Sequence, residues 1–265
     1  ALEIGYQARP NIFAKEIVKP SQLYSAVVEI DERVLADGTV ERAPDERAAR
    51  EALEGLRRDG FDSVAIVFMH AWAYPAHERR VASLARALGF SQVSVSHECS
   101  ALIKLVGRGD TTVVDAYLSP ILKRYRDRVA QALEVERTGA RLLFMMSSGD
   151  LTSAHLFQGK DAILSGPAGG VVAMARTAES AGFKQVIGFD MGGTSTDVAH
   201  YDGQFERAFE TEVAGVRMRA PMMSIHTVAA GGGSILLDVD CIEVQLADTG
   251  GTWETTVKPR HPGAA

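Results

Sequence analysis

GFDMGGTSTDVAHYDG, residues 188–203, is the stretch on which the fold turns. Apolar residues from Gln185 run into an acid, Asp190. A Met191-Gly192-Gly193-Thr194 turn follows, and Ser195 to His200 reads as a second strand, so the whole predicts a hairpin. Asp202-Gly203 marks another turn, into Gln204–Glu210. Each part of the hairpin suits an anion. Gly192 and Gly193 carry no Cβ, so backbone N–H groups can approach phosphate closely and the turn is free to take positive φ. Thr194, Ser195 and Thr196 offer hydroxyls to phosphate oxygens. Asp190 stands where a carboxylate can hold a Mg²⁺-bound water or orient an attacking one, and Asp197 can brace the loop from the second strand. The same string would also serve as an ordinary turn with polar neighbours. It lacks the Lys-Ser/Thr pair and the following helix of a strand–loop–helix phosphate site.

Two further glycine clusters flank it. LSGPAGGVVAMA, residues 164–175, is a glycine-rich loop opening into a helix, with Pro167 near its start. Ala168, Gly169, Gly170, Ala173 and Ala175 would let that helix pack closely on a neighbour. TVAAGGGS, residues 227–234, brings Gly231, Gly232 and Gly233 after a strand-like stretch.

Upstream the grammar is α/β. Strand-like Val27–Ile30 and Arg33–Leu35 precede an Asp37-Gly38 turn into Thr39-Val40. A helix follows Pro44-Asp45, with Ala48, Ala49, Ala52, Leu53 and Leu56 on one face and Gly60 as a stop. The apolar run Ser63–Met69, a helix over Ala76–Leu88 and a strand over Gln92–Ser96 make a βαβ unit, hence a parallel sheet covered by helices. A long helix is predicted over Asp110–Glu134, kinked or split at Pro120. A buried strand follows over Arg141–Met146, then a helix over Val171–Ala181. The pattern divides the chain near residue 184.

Composition narrows the function classes. The 265 residues are 46% hydrophobic with a net charge of −6, acids and bases being mixed along the chain. No stretch is basic enough for a nucleic-acid footprint, and no run reaches the roughly 18 apolar residues of a membrane span. Cys99 and Cys241 form no spacing pattern and suit a reducing, cytoplasmic compartment. Ala1-Leu2-Glu3 does not begin a signal peptide.

A small-residue helix followed by a D-x-G-G-T hairpin resembles the actin, sugar-kinase and 70-kDa chaperone ATPase superfamily, in which two ribonuclease-H-like domains clamp ATP between two phosphate hairpins. GFDMGGTSTDV, SGPAGGVV, VAGVRMRAP and HTVAAGGGS are similar to the hydantoinase A/oxoprolinase family. IGYQARPNIF, EIDERV, VFMHAWAYPAHE and GRGDTTVVDAYLSPILKRY are similar to its 5-oxoprolinase branch. The likeness spans about residues 1–236.

It implies an actin/hexokinase-like (ribonuclease-H-like) α/β ATPase fold. Residues 1–184 would form an incomplete first domain with a connecting helix over 163–182, residues 185–236 the start of the second, and residues 237–265 a divergent tail. It implies ATP and Mg²⁺ as cofactors, with Asp190 as the catalytic and metal residue. Gly192, Gly193, Thr194, Ser195, Thr196 and Asp197 would hold the phosphates, and Gly231, Gly232 and Gly233 would lie near the nucleotide. The implied reaction opens the lactam of 5-oxo-L-proline to glutamate at the expense of ATP. A hydantoinase B-like half or subunit is the implied partner, and a homo-oligomer is compatible with it.

Three departures stand out. The family's other hairpin, GGTFTD-like, does not precede Ala1, so the chain is expected to be an internal piece cut short at its N-terminal end and inactive alone. The sequence after Ile235 does not follow the family, and Asp150 and Ala173 stand where it commonly has glycine. Alternatives are an N-methylhydantoinase or acetone carboxylase type of subunit, or a non-catalytic module. His70, His77 and His97 are expected to be structural, and Arg108, Lys123 and Arg124 to mark solvated surface.

Overall fold

A computed structural model describes residues 13–16, 22–213 and 215–234, together with the backbone of two strands over 242–248 and 253–259. The architecture is α/β. Two compact units separate: residues up to 188 with 199–225, and residues 189–198 with those from 226 onward.

The first unit opens with a small hairpin, β1 (Arg33–Val34) and β2 (Val40–Arg42). Gly38 takes φ +89° at its turn, under the Tyr74 ring. Val27–Ile30 forms no strand, and Val27 and Val28 lie exposed, because no neighbouring strand takes up their backbone groups. Helix α1 (Glu46–Arg58) is capped by Asp45, whose carboxylate accepts from the amides of Arg47 and Ala48. Of its predicted apolar face Ala49 and Leu53 are buried, whereas Ala48 is exposed.

The βαβ unit is present as read. Strand β3 (Ser63–Ile66), helix α2 (Ala76–Ala87) and strand β4 (Gln92–Val95) form a parallel pair in register from Ser63 opposite Gln92 to Ile66 opposite Val95. Ala49, Leu53, Ile66, Val81, Ala85, Phe90 and Val95 make its core. The apolar run Ser63–Met69 does not stay extended, since β3 stops at Ile66 and the chain turns at Met69–His70.

A short helix α3 (Ser96–Cys99) leads into α4 (Leu105–Ala132), the spine of this unit. Pro120 does not split it: losing one helical hydrogen bond costs about 3 kcal/mol, less than the burial of so long a helix returns. The helix starts at Leu105, five residues before the predicted start at Asp110, so Gly107 and Gly109 are helical too. Helix α5 (Val135–Thr138) follows Glu134, which takes φ 48°. Strands β5 (Leu143–Met145) and β6 (Leu151–Ser153) pair antiparallel across a turn where Gly149 has φ +84°. Asp150 fits that turn, its carboxylate accepting from the Ser148 hydroxyl.

Helix α6 (Ser165–Ser180) is the predicted small-residue helix. Ala168, Val171 and Ala175 are its buried face, and Ala168 and Val171 pack with Ala199 and Met223; Gly170 and Ala173 point outward, so the close-packed stripe is narrower than the sequence suggests. Strands β7 (Val186–Met191) and β8 (Thr196–Tyr201) form the decisive hairpin, and Gly203 turns the chain at φ +100° toward a bridge between Tyr201 and Phe205. Strands β9 (Arg207–Ala208) and β12 (Met222–Met223) pair, as do β10 (Thr211–Val213) and β11 (Val216–Met218). Strand β13 (His226–Val228) joins the sheet in the order β13–β8–β7. In the second unit β14 (Ile242–Asp248) and β15 (Trp253–Pro259) form an antiparallel pair. The rest of the divergent tail read over 237–265, and the first twelve residues, lie outside the described residues.

Candidate functional site

The hairpin turn and the third glycine cluster come together in the second unit. Val228 pairs with Thr196, and the chain then passes Ala230 and runs along the turn. The Gly232 amide donates to the Gly192 carbonyl (2.8 Å), and the Gly233 amide to the Gly193 carbonyl (3.1 Å). The Gly192 amide donates to the Ser195 carbonyl (2.9 Å), closing the turn itself. Gly231 is buried at the crossing, where a Cβ would lie 2.6 Å from the Gly192 oxygen and 2.7 Å from the Thr194 nitrogen. Glycine is required here because two backbones touch.

These bonds fix the direction of the turn. In a trans peptide the carbonyl and the next N–H point to opposite sides, and no described peptide bond is cis. With the carbonyls of residues 192 and 193 held by residues 232 and 233, the amides of Gly193 and Thr194 point the other way. Gly192, Gly193 and Thr194 are all exposed. Two successive amides thus face the exposed side of the turn. The glycines achieve this without positive φ, contrary to the freedom read from their sequence.

The remaining candidates divide by exposure. Asp190 is exposed near the end of β7, and Ser195 is half-buried. Thr196 is buried, and its hydroxyl donates to the Ala230 carbonyl (2.6 Å), so that proton serves the sheet. Asp197 accepts from the Thr227 hydroxyl (2.7 Å), tying β8 to β13. Among the described residues no three acidic, histidine or cysteine side chains group as a metal cluster.

A second polar cluster, in the first unit, escaped the sequence reading. Arg108 is fully buried rather than solvated. Its guanidinium donates to Ser96 Oγ (2.8 Å) and to the carbonyls of Phe68 (2.6 Å), Met69 (3.0 Å), Leu102 (2.7 Å) and Ile103 (3.4 Å). Burial lowers its pKa, and Glu78 opposes that shift. Glu78, also fully buried, accepts from the Phe68 amide (2.9 Å), the His97 amide (3.1 Å), His97 Nδ1 (2.7 Å) and the Ser96 hydroxyl. His77 pairs with Glu32 at 2.7 Å. The cluster stops β3 at Ile66 by pinning the loop beyond it. No local signal marks its burial, since Gly107 and Gly109 flank Arg108 on other sides of the helix. Lys123 and Arg124 are exposed, as read.

Asp110, half-buried on α4, is pushed up to about 6 by burial, with Arg217 pulling the other way. Between the ordinary value of 3.8 and about 6, the folded chain holds a proton that the unfolded chain has released. This contribution favours folding at the acid end of the window and is lost as pH rises through about 6. Asp110→Asn is therefore expected to raise the urea midpoint near neutral pH and to leave it unchanged near the acid end. A lower midpoint at neutral pH would show that the attraction of the Arg217 charge outweighs burial.

The hydantoinase/oxoprolinase family model matches residues 108–250, and the model of that family's N-terminal region matches residues 1–89. The chain belongs to the hydantoinase/oxoprolinase family. Both glycine clusters of the candidate site fall within the longer family match, which runs on to residue 250, so the stretch just after Ile235, expected to leave the family, is still matched by it. Among relatives of the family, 5-oxoprolinase 1 of Arabidopsis thaliana is 42% identical over 255 residues, covering 89% of this chain and 20% of the relative. The chain thus spans about a fifth of the length of that curated relative. The crystal structure of the ATP-dependent caprolactamase from Pseudomonas jessenii superposes with a TM-score of 0.68 at 32% identity, over 89% of this chain and 33% of that one. A nucleotide-free acetone carboxylase gives a TM-score of 0.69 at 23% identity, over 85% of this chain and 32% of that one, and speaks for the fold alone. Among the described residues no helix is long and apolar enough to cross a membrane.

Proposed function

We propose that the chain supplies one phosphate-binding hairpin of an ATP-dependent lactam hydrolase of the 5-oxoprolinase type, built on an actin/hexokinase-like ATPase fold. The observation that carries this is the pair of outward amides at Gly193 and Thr194, set by the lock between residues 192–193 and 232–233. Kinship with a 5-oxoprolinase supports the substrate, 5-oxo-L-proline; likeness to an ATP-dependent caprolactamase supports the spending of ATP on a lactam, and such a reaction suits the cytoplasm.

A lactam carbonyl is a poor electrophile. Phosphorylating its oxygen makes the carbon open to water; the ring C–N bond then breaks, and a second water releases phosphate, leaving glutamate and ADP. Such transfer depends on positioning and on neutralising charge. In this reading the amides of Gly193 and Thr194 receive phosphate oxygens, with the exposed hydroxyl of Thr194 and that of Ser195 beside them. Thr196 and Asp197 brace the hairpin, and Gly231, Gly232 and Gly233 aim it. The exposed carboxylate of Asp190 is a hard oxygen donor of the kind Mg²⁺ prefers, and would hold a metal-bound water. A hydantoinase B-like half carries the lactam-opening step.

Calorimetric titration with ATP tests the reading. Wild-type chain should bind Mg-ATP weakly, and chelating Mg²⁺ with EDTA should weaken binding further. Asp190→Asn should remove that sensitivity to EDTA while keeping the residual affinity. No heat at millimolar nucleotide would favour a non-catalytic module. In an assembly with the companion half, phosphate release should follow 5-oxoproline and ignore hydantoins; the reverse preference would reassign the substrate.

A further inference from the structure

One face of helix α4 carries an apolar stripe that the first unit leaves uncovered. Tyr117, Ile121 and Tyr125 recur at every fourth residue and are 55%, 54% and 51% exposed. Helical geometry puts Arg124 and Arg128 on the same face, seven and eleven positions after Tyr117, and both are exposed. The stripe is continuous with an apolar groove of about 390 Å³, lined by Leu23, Val114, Tyr117, Leu118, Ile121 and Met218 among others. Tyr125 also meets the Phe144 ring edge-on, with centroids 6.3 Å apart, which holds that end of the stripe in place.

We propose that this face docks an amphipathic helix of the companion half, apolar along one side and acidic at the end that meets Arg124 and Arg128. This rests on the companion half of the proposed function and names the surface that receives it. The spacing of the three apolar residues is that of a helix-in-groove contact, and contiguous exposed apolar surface marks an interaction site. Charge selects the occupant. Laid parallel, a second copy of α4 would bring Arg124 and Arg128 against their own kind, whereas an acidic helix complements them and is steered toward them.

Two synthetic helical peptides test this by fluorescence anisotropy. They share the same leucine stripe and differ only in carrying glutamates or lysines at the end meant for the arginines. The acidic peptide should bind at least about tenfold more tightly than the basic one. Arg124→Glu with Arg128→Glu should invert that preference, and Ile121→Ser should weaken both without changing the melting temperature, because Ile121 is half exposed. Equal binding of both peptides, or none, would overturn the proposal. So would a dimer in sedimentation equilibrium that Ile121→Ser dissociates, since the occupant would then be a second copy. Mg-ATP titration of the same variants keeps the two readings apart: intact ATP binding with no peptide preference defeats the docking face alone.

Discussion

Replacing Gly231 by alanine is expected to abolish measurable nucleotide binding while the βαβ core stays folded. The added methyl group would sit 2.6 Å from the Gly192 oxygen, 2.7 Å from the Gly193 carbonyl carbon and 2.7 Å from the Thr194 nitrogen. All three are backbone atoms of the turn, so no side chain can swing aside. Relief requires the 231–233 segment to lift, which breaks the bonds from Gly232 to Gly192 and from Gly233 to Gly193. Overpacking costs about 1–3 kcal/mol, and each lost hydrogen bond adds about 1 kcal/mol. Together these correspond to roughly a hundredfold or more in affinity. Gly193→Ala is the informative contrast, since a Cβ there meets nothing within 4 Å and folding should be untouched. Calorimetry with Mg-ATP and a thermal melt on each variant separate the cases. Wild-type affinity in Gly231→Ala would mean that the two glycine clusters do not orient the turn.

Arg108→Met is expected to be the most damaging single change in the first unit. It keeps the volume and removes the donors that serve Ser96 and the carbonyls of Phe68, Met69, Leu102 and Ile103. It also leaves Glu78 buried without the cation beside it. Breaking a buried charged network in this way costs about 3–5 kcal/mol, enough to unfold many domains of this size. Lysine should not rescue it, because a compact ammonium cannot span acceptors on two loops as the planar fork does. Arg124→Met, at an exposed position, should shift the urea midpoint little. A loss below about 1 kcal/mol for Arg108→Met would show that water readily replaces the guanidinium.

What the chain order discloses is local. The Asp37-Gly38 and Asp202-Gly203 turns, the βαβ unit and the helix before the decisive hairpin were all legible, because each is written in neighbouring residues whose period or turn chemistry has few alternatives. The hairpin was legible for the same reason. Its partner was not: glycines 231–233 carry no mark of what they touch, and their contact with residues 192–194 arises only when β13 pairs with β8. The Glu78–Arg108 cluster was hidden by residue type. Arginine and glutamate read as surface in any single segment, and their burial depends on groups from α2, α3, α4 and two loops meeting at one point. Val27–Ile30 errs in the other direction, since its strand-forming residues find no neighbour to pair with.

The lock on the turn also bears on how the chain matures. A ribosome that has released only as far as Tyr201 has made every atom of the hairpin but not the two amides that aim it. On the proposed function, nascent protein would therefore stay blind to nucleotide until some thirty further residues emerge, and competence would follow once Gly233 is free of the exit tunnel.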